Sequence, residues 1–278
     1  MNGKKIEPSH EYFFNDNKRC GLRHFIKSES KNVIVWLSGR NDYFYHYHVI
    51  NYLPNYNIIA LDFYDYVLNN DFEEQYKILD IVYEKYIRDK YLNVTLYGFD
   101  LGGLIVLAYY LLKNPTWFNK LILNNPFINI SSNVVNNFTL NYIYPLLLKF
   151  DSWKKYDINP YTNNMNFLTA KIKELGYIFD ENIKFQIHIP ITMEFIHDVH
   201  KLQNKIKQNN DKITIPVLIL KSDYKDDRLL SDLDINDFCK EKKIQSVLIK
   251  NSLHDVLVSN TLAKNLAIDS IKKFLNKS

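Results

Sequence analysis

Glycine is scarce in this chain, with seven in 278 residues, and so are cysteine, with two, and proline, with eight. Cys20 and Cys239 lie far apart, so they build neither a disulfide framework nor a thiolate metal cluster, and they suit a reducing compartment. No apolar run is long: the longest, Leu104 to Leu112, is far too short to cross a bilayer, so no integral membrane segment is expected. The start, Met1-Asn2-Gly3-Lys4-Lys5, leads into polar residues without the apolar core of a secretory signal, and a cytoplasmic location is the expectation. Neither sign of charge dominates. Lys and Arg number 35 against 31 Asp and Glu, a net +4, and the two signs are interspersed, which leaves no basic stripe to bind nucleic acid.

What is present is an ordinary globular composition, 46% hydrophobic and 24% charged. At 33.1 kDa the chain can bury one large core, and a single domain over residues 1–278 is expected.

The apolar residues fall into short blocks. Glu11 to Lys27 reads as a hairpin around the polar turn Asn15-Asp16-Asn17-Lys18, placed at a sheet edge. Val33 to Leu37 and Val94 to Tyr97 have the length and composition of strands buried between helices, and Asn57 to Phe63, Leu121 to Leu123, Val217 to Leu220 and Ser246 to Ile249 read as the other strands. Between them, Asp71 with Glu74 resembles a capping box opening a helix through Tyr86, Gly102 to Leu112 reads as an apolar helix, and Thr261 to Leu275 closes the chain as another. This alternation predicts the α/β class, a mostly parallel central sheet flanked by helices. The rhythm breaks over residues 127–210, where aromatic-rich helical pieces predict a cap inserted over the sheet.

Three of the seven glycines fall in one window, Gly98-Phe99-Asp100-Leu101-Gly102-Gly103, where a strand meets a helix. Glycines flanking such a turn allow a bend too tight for side chains and put Asp100 at its apex, the position of a nucleophile. The competing reading is that Asp100 only caps the following helix. His254 follows the last strand, where a general base is expected in the chain order nucleophile, acid, histidine. The acid that orients it should follow the preceding strand, where Asp223, Asp226, Asp227, Asp232 and Asp234 compete; Asp223 and Asp234 are the candidates carried forward. Ser38-Gly39-Arg40 after the first long strand would supply the backbone N–H of Arg40 to an oxyanion hole, with that of Leu101 as second donor. Arg40 with Asp42 could equally form a surface ion pair.

Two patterns resemble metal sites. Glu194, His197 and His200 would share a helix face, for which a solvated polar face is the preferred reading, and His46 with His48 is weaker still. No metal and no cofactor are expected.

With these residues placed, the chain resembles the monoglyceride lipase, lysophospholipase and serine aminopeptidase group of α/β-hydrolases. The segments that carry the resemblance are Ser38 to Phe44, Gly98 to Gly103, Asn124-Asn125-Pro126-Phe127, Val217 to Asp223, Leu233-Asp234-Ile235 and Leu253-His254-Asp255, in the family's order. The resemblance implies an α/β-hydrolase fold and hydrolysis of esters of glycerol, lipids or similar acyl groups. Two positions depart from it: Ser38 stands where the family has histidine, and Asp100 where it has the serine nucleophile. Attack by a carboxylate on an ester would give an anhydride, whereas attack on an sp³ carbon gives an alkyl-enzyme ester that water can cleave, as in epoxide hydrolases and haloalkane dehalogenases. Leu101 replaces the tryptophan common beside the dehalogenase nucleophile, and Tyr142, Tyr144, Tyr156 and Tyr161 are candidates to polarise an epoxide oxygen. The expectation is a hydrolase of a small, largely apolar substrate; the alternative is an inactive relative that binds a ligand or a protein.

Overall fold

The computed structural model of the chain describes residues 9–15, 18–27, 29–40, 42–62, 71–130, 135–158, 172–177, 190–223 and 232–277. Eight strands form one sheet: β1 (Ser9–Asn15), β2 (Lys18–Phe25), β3 (Asn32–Leu37), β4 (Asn57–Asp62), β5 (Asn93–Phe99), β6 (Lys120–Asn124), β7 (Val217–Ser222) and β8 (Gln245–Ile249). Their order is β1-β2-β4-β3-β5-β6-β7-β8. The hairpin β1–β2 and the β2–β4 pair are antiparallel, and all other pairs are parallel.

The sequence dictates this layering. Side chains alternate across a strand, so a run that is apolar at every position must be covered on both faces. In β3, Val33, Val35 and Leu37 enter one core with β5, while Ile34 and Trp36 enter the other, Trp36 stacking on Tyr97 at 3.6 Å. The first core is covered by α2 (Phe72–Val82), which continues as a π-helical turn Tyr83–Ile87, and by α3 (Leu101–Lys113). The second lies under the short helix Tyr47–Tyr52, here α1, and the C-terminal helix Thr261–Leu275. Asp71 caps α2 by accepting the Glu74 N–H at 3.2 Å, as the sequence predicts.

Within 127–210 the described pieces are a π-helical turn Thr139–Ile143, α4 (Tyr144–Leu147), α5 (Asp151–Lys154) and the long α6 (Met193–Gln208). α6 packs on α3 and on α4 and α5. After β7 comes α7 (Asp232–Lys242), and the C-terminal helix is α8. Among the described residues no helix is long and apolar enough to cross a membrane.

Candidate active site at the carboxyl ends of the strands

The bend between β5 and α3 is strained. Asp100 has φ 51° and ψ −119°, a backbone conformation that costs a non-glycine residue on the order of 1–3 kcal/mol. It persists because its neighbours determine it: Asp100 N–H donates to Asn124 O at 3.0 Å, and its carbonyl accepts the N–H groups of Leu104 and Phe127. A methyl group on Gly98 would lie 2.6 Å from both Gly102 O and Gly103 Cα, one on Gly102 would strike Leu37 O at 2.7 Å, and one on Gly103 would meet Pro126 at 2.9 Å. The three glycines therefore hold the helix against the strand ends.

The capping reading of Asp100 does not hold. Its side chain makes no capping hydrogen bond with α3 and is a quarter exposed. One carboxylate oxygen, Oδ2, lies over Gly39, where an added methyl would sit 3.0 Å from it; the other, Oδ1, faces His254.

His254 is delivered by the turn after β8, ahead of the 3-10 turn Val256–Val258. Its Nε2 is 3.7 Å from Asp100 Oδ1, and its ring packs at 5.1 Å from that of Phe99. That separation is too long for a direct hydrogen bond and short enough for both groups to reach one small molecule between them. Residues more than 150 positions apart in sequence thus meet at the ends of β5 and β8.

Of the acid candidates, Asp223 uses its carboxylate to accept the backbone N–H of Ser252 at 3.3 Å, which holds the turn that precedes His254. Asp234 lies in the first turn of α7, and its side chain, with that of Asp232, falls outside the described residues, as do Asp226 and Asp227 altogether. Of the oxyanion candidates, Leu101 is the first residue of α3, directly after the bend, and Arg40 follows Gly39, which lies against Asp100. The Arg40 side chain runs elsewhere: it donates from Nη2 to Pro190 O at 2.8 Å and stacks 3.6 Å over the Phe195 ring. The Arg40 side chain thus ties the β3 loop to the start of α6, in place of the alternative reading of a surface ion pair with Asp42. Burial lowers the Arg40 pKa to about 10, opposed by the carboxylates of Asp100 and Asp157.

The metal-like patterns resolve differently from expectation. His197 and His200 are not on a solvated face; both are buried, and His200 Nε2 contacts Asn141 Oδ1 at 3.0 Å beneath the π-helical turn. Burial lowers both pKa values. No group of three metal-ligating side chains occurs among the described residues. His46 is fully buried, with Nε2 2.6 Å from Asp255 Oδ2, while His48 contacts Leu257 O at 2.8 Å. Of the tyrosines named as candidates, Tyr142 and Tyr156 are more than half exposed, Tyr144 is buried and Tyr161 lies outside the described residues.

Sequence reasoning missed two positioning groups. Asn125, at φ 45°, accepts the Ser222 N–H on Oδ1 at 3.1 Å, donates from Nδ2 to His254 O at 3.1 Å, and places that nitrogen 3.0 Å from His254 Nδ1. Its signal was an asparagine directly after a strand, a residue type that tolerates positive φ. The second is Asp255, fully enclosed by His46, Asn124 Nδ2 at 2.8 Å and the Leu257 N–H at 3.0 Å. Nothing local in the sequence pairs it with His46.

A mostly parallel sheet between helices, a strained bend between β5 and α3 and a histidine after the last strand define an α/β-hydrolase. The model of the serine aminopeptidase S33 family (Hydrolase_4) matches residues 68–260, more than half of the chain, and the chain belongs to this family of hydrolases. Solved structures with the same fold include a soluble variant of monoglyceride lipase from Saccharomyces cerevisiae in complex with a substrate analogue, at 16% identity and a TM-score of 0.69, covering 99% of each chain. The monoacylglycerol lipase of Paleococcus ferrophilus is similar at 16% identity and a TM-score of 0.69, over 95% of this chain and 98% of that one. A thermostable carboxyl esterase from Bacillus coagulans, in complex with glycerol, is similar at 12% identity and a TM-score of 0.65, over 98% and 100%. No curated protein matches the chain in sequence.

Proposed function

We propose that the chain hydrolyses a small, largely apolar substrate with an electrophilic sp³ carbon, of the epoxide class, with Asp100 as nucleophile and His254 as base. The observation that carries this reading is the partly exposed Asp100 carboxylate at a strained bend, making no capping hydrogen bond and 3.7 Å from the His254 Nε2. A carboxylate oxygen of Asp100 attacks the carbon and the ring C–O bond breaks; the oxygen takes a proton from a phenol of the 127–210 segment, read here as a cap. Water, giving a proton to His254, then adds to the carbonyl carbon of the Asp100 ester, which expels the alcohol and restores the carboxylate. The protonated His254 returns its proton to the phenolate, so the sum is epoxide plus water to diol. The acid that steadies His254 is assigned in this reading to the stretch after β7, on its position in chain order between Asp100 and His254.

The test is a single turnover in oxygen-18 water on panels of epoxides and of esters, followed by digestion and weighing of the Asp100 peptide. Heavy oxygen in Asp100 supports the covalent aspartate; diol formed with a light Asp100 refutes it. Asp100→Ser is the companion variant, and esterase activity gained with it supports a retained lipase-type pocket.

A second reading, ligand binding without turnover, is favoured by the Asn125 contact. An imidazole that accepts from an amide at Nδ1 carries its neutral-state proton on Nε2, which faces Asp100 and then has no lone pair to take a proton from water. Failure of both panels supports this reading.

A further inference from the structure

Arg40 is held in place but not paired. Its Nη2 donates to Pro190 O at 2.8 Å and its guanidinium carbon stands 3.6 Å over the Phe195 ring, yet Nε and Nη1 are buried and make no hydrogen bond. A pKa of about 10 keeps the side chain charged at neutral pH. Asp100 and Asp157 favour that charge from a distance, but no carboxylate forms an ion pair with it among the described residues. A buried N–H without an acceptor is costly, and more so on a charged group, so it persists mainly where function uses it.

The position of the guanidinium adds to the imbalance. Phe195 lies in the first turn of α6, a 16-residue helix capped by Thr192, so the cation stands at the helix end that disfavours cations and favours anions. That end is otherwise satisfied: the Met193 N–H donates to Tyr156 O at 3.2 Å and the Phe195 N–H to the Thr192 hydroxyl at 3.1 Å. At its other end Arg40 directly follows Gly39, which lies against the Asp100 carboxylate, and Asp100 leads the charges that act on it. One residue thus borders the nucleophile with its backbone and the start of α6 with its charge. The ring stack and the single hydrogen bond fix the guanidinium plane in advance, which limits the ordering cost of binding.

We propose that Arg40 determines specificity at this site, selecting a substrate that carries one carboxylate on an otherwise apolar body and binding that carboxylate through its unpartnered guanidinium N–H groups. The inference rests on the reading that Asp100 borders the substrate, and adds the substrate's charge to it. A carboxylate fits because it is planar, accepts strongly and supplies the negative charge that both the guanidinium and the α6 end favour, whereas a neutral carbonyl would leave the cation uncompensated. Repulsion by Asp100 keeps the carboxylate on the α6 side of Arg40 and leaves the reacting carbon toward the bend.

The experiment uses the full chain and two matched pairs of probes: hexanoate and hexanamide for binding by calorimetry, and the terminal epoxides of hexenoate and hexenamide for turnover. The parent should bind hexanoate about tenfold or more tighter than hexanamide. Arg40→Gln keeps the backbone N–H and removes the charge, so the acid-over-amide ratio should fall to about one; Arg40→Lys keeps the charge without the plane and should retain part of the preference. Asp100→Asn should abolish turnover and strengthen hexanoate binding, because a repelling carboxylate is gone. Equal affinity for acid and amide, no binding of hexanoate at millimolar concentration, or a preference that survives in folded Arg40→Gln each overturns the proposal. Should Arg40→Gln fail to fold, Phe195→Leu removes the stack instead, and an undiminished preference in that variant overturns it as well. The two readings fail separately. An Arg40-dependent preference for the acid with neither epoxide turned over sinks the covalent Asp100 mechanism alone, and turnover of both epoxides at equal kcat/KM sinks the role of Arg40 alone.

Discussion

Asn125 holds His254 at two points, donating from Nδ2 to the histidine carbonyl at 3.1 Å and meeting the ring Nδ1 at 3.0 Å, while its own Oδ1 is fixed by the Ser222 N–H. The ends of β6 and β7 thereby set the position of a residue delivered by β8. Asn125→Gly keeps the positive φ without strain and removes the bracket. Turnover, on whichever panel the parent acts, is expected to fall about tenfold or more, with KM little changed and a stability loss of about 1–2 kcal/mol. Steady-state kinetics beside a urea melt separate the two effects, and an unchanged kcat in a slightly less stable protein would make Asn125 purely structural.

Gly98 tolerates no side chain. The methyl of Gly98→Ala would meet two backbone atoms at 2.6 Å, and backbone cannot move aside as a side chain tip can. A loss of about 3 kcal/mol or more is expected, seen as a lower urea midpoint or as failure to fold. Gly39→Ala differs, because its methyl would meet the Asp100 side chain at 3.0 Å and the Phe99 ring at 3.3 Å. That variant should fold and lose activity, the opposite balance, and wild-type turnover from it would show that the Asp100 carboxylate has room to spare.

The sheet was legible because its cause is local. Strand runs such as Val33 to Leu37 are apolar at every position, and an unbroken run of strand length implies cover on both sides. The bend at Asp100 was legible for the converse reason, since a chain this poor in glycine concentrates three where backbones touch. Contacts made across the fold were not legible. Asn125 meets a residue 129 positions away and Asp255 one 209 away, and no spacing encodes either pair. The α6 histidines were misread as solvated because a polar residue type says nothing of the helix that packs over it. Several carboxylates follow β7 within a few residues, and sequence spacing alone does not select the one that turns toward the imidazole.

Acid should destabilise the fold through its buried histidines. Burial, then the neighbouring His46, lowers the His48 pKa from 6.5 to about 4, and burial also lowers those of His197 and His200. A lowered folded-state pKa means that the unfolded chain binds more protons, so stability present above about pH 6.5 is lost as pH falls toward 4. His48 alone accounts for up to about 3 kcal/mol over that window. Urea midpoints at pH 7 and pH 5 should drop accordingly, and His48→Gln, which keeps an amide donor for Leu257 O, should flatten the difference. An equal slope in that variant would place the acid sensitivity elsewhere.

Asp255 is the remaining test, because it decides whether the turn carrying His254 is held from behind. Its carboxylate is fully buried and faces donors on every occupied side: His46 Nε2 at 2.6 Å, Asn124 Nδ2 at 2.8 Å and the Leu257 N–H at 3.0 Å. Burial by itself would raise its pKa, but His46, the Leu257 N–H and Asn124 outweigh it and hold the pKa below 3.8. Asp255→Asn turns an NH2 group toward one of these donors, and a buried donor without an acceptor costs about 1–3 kcal/mol. The variant should be less stable by roughly that amount at pH 7, and its loss of turnover should exceed what stability explains, because the adjacent residue is His254. The linkage gives a second signature. A carboxylate with a lowered folded-state pKa stabilises above its unfolded value and loses that contribution as pH falls through the folded one, so the gap between parent and variant should close only in acid below about pH 4. Urea titrations of both proteins at pH 7 and near pH 3 measure the gap directly, and a variant equal to the parent at pH 7 in stability and turnover would show that the buried carboxylate holds nothing in place.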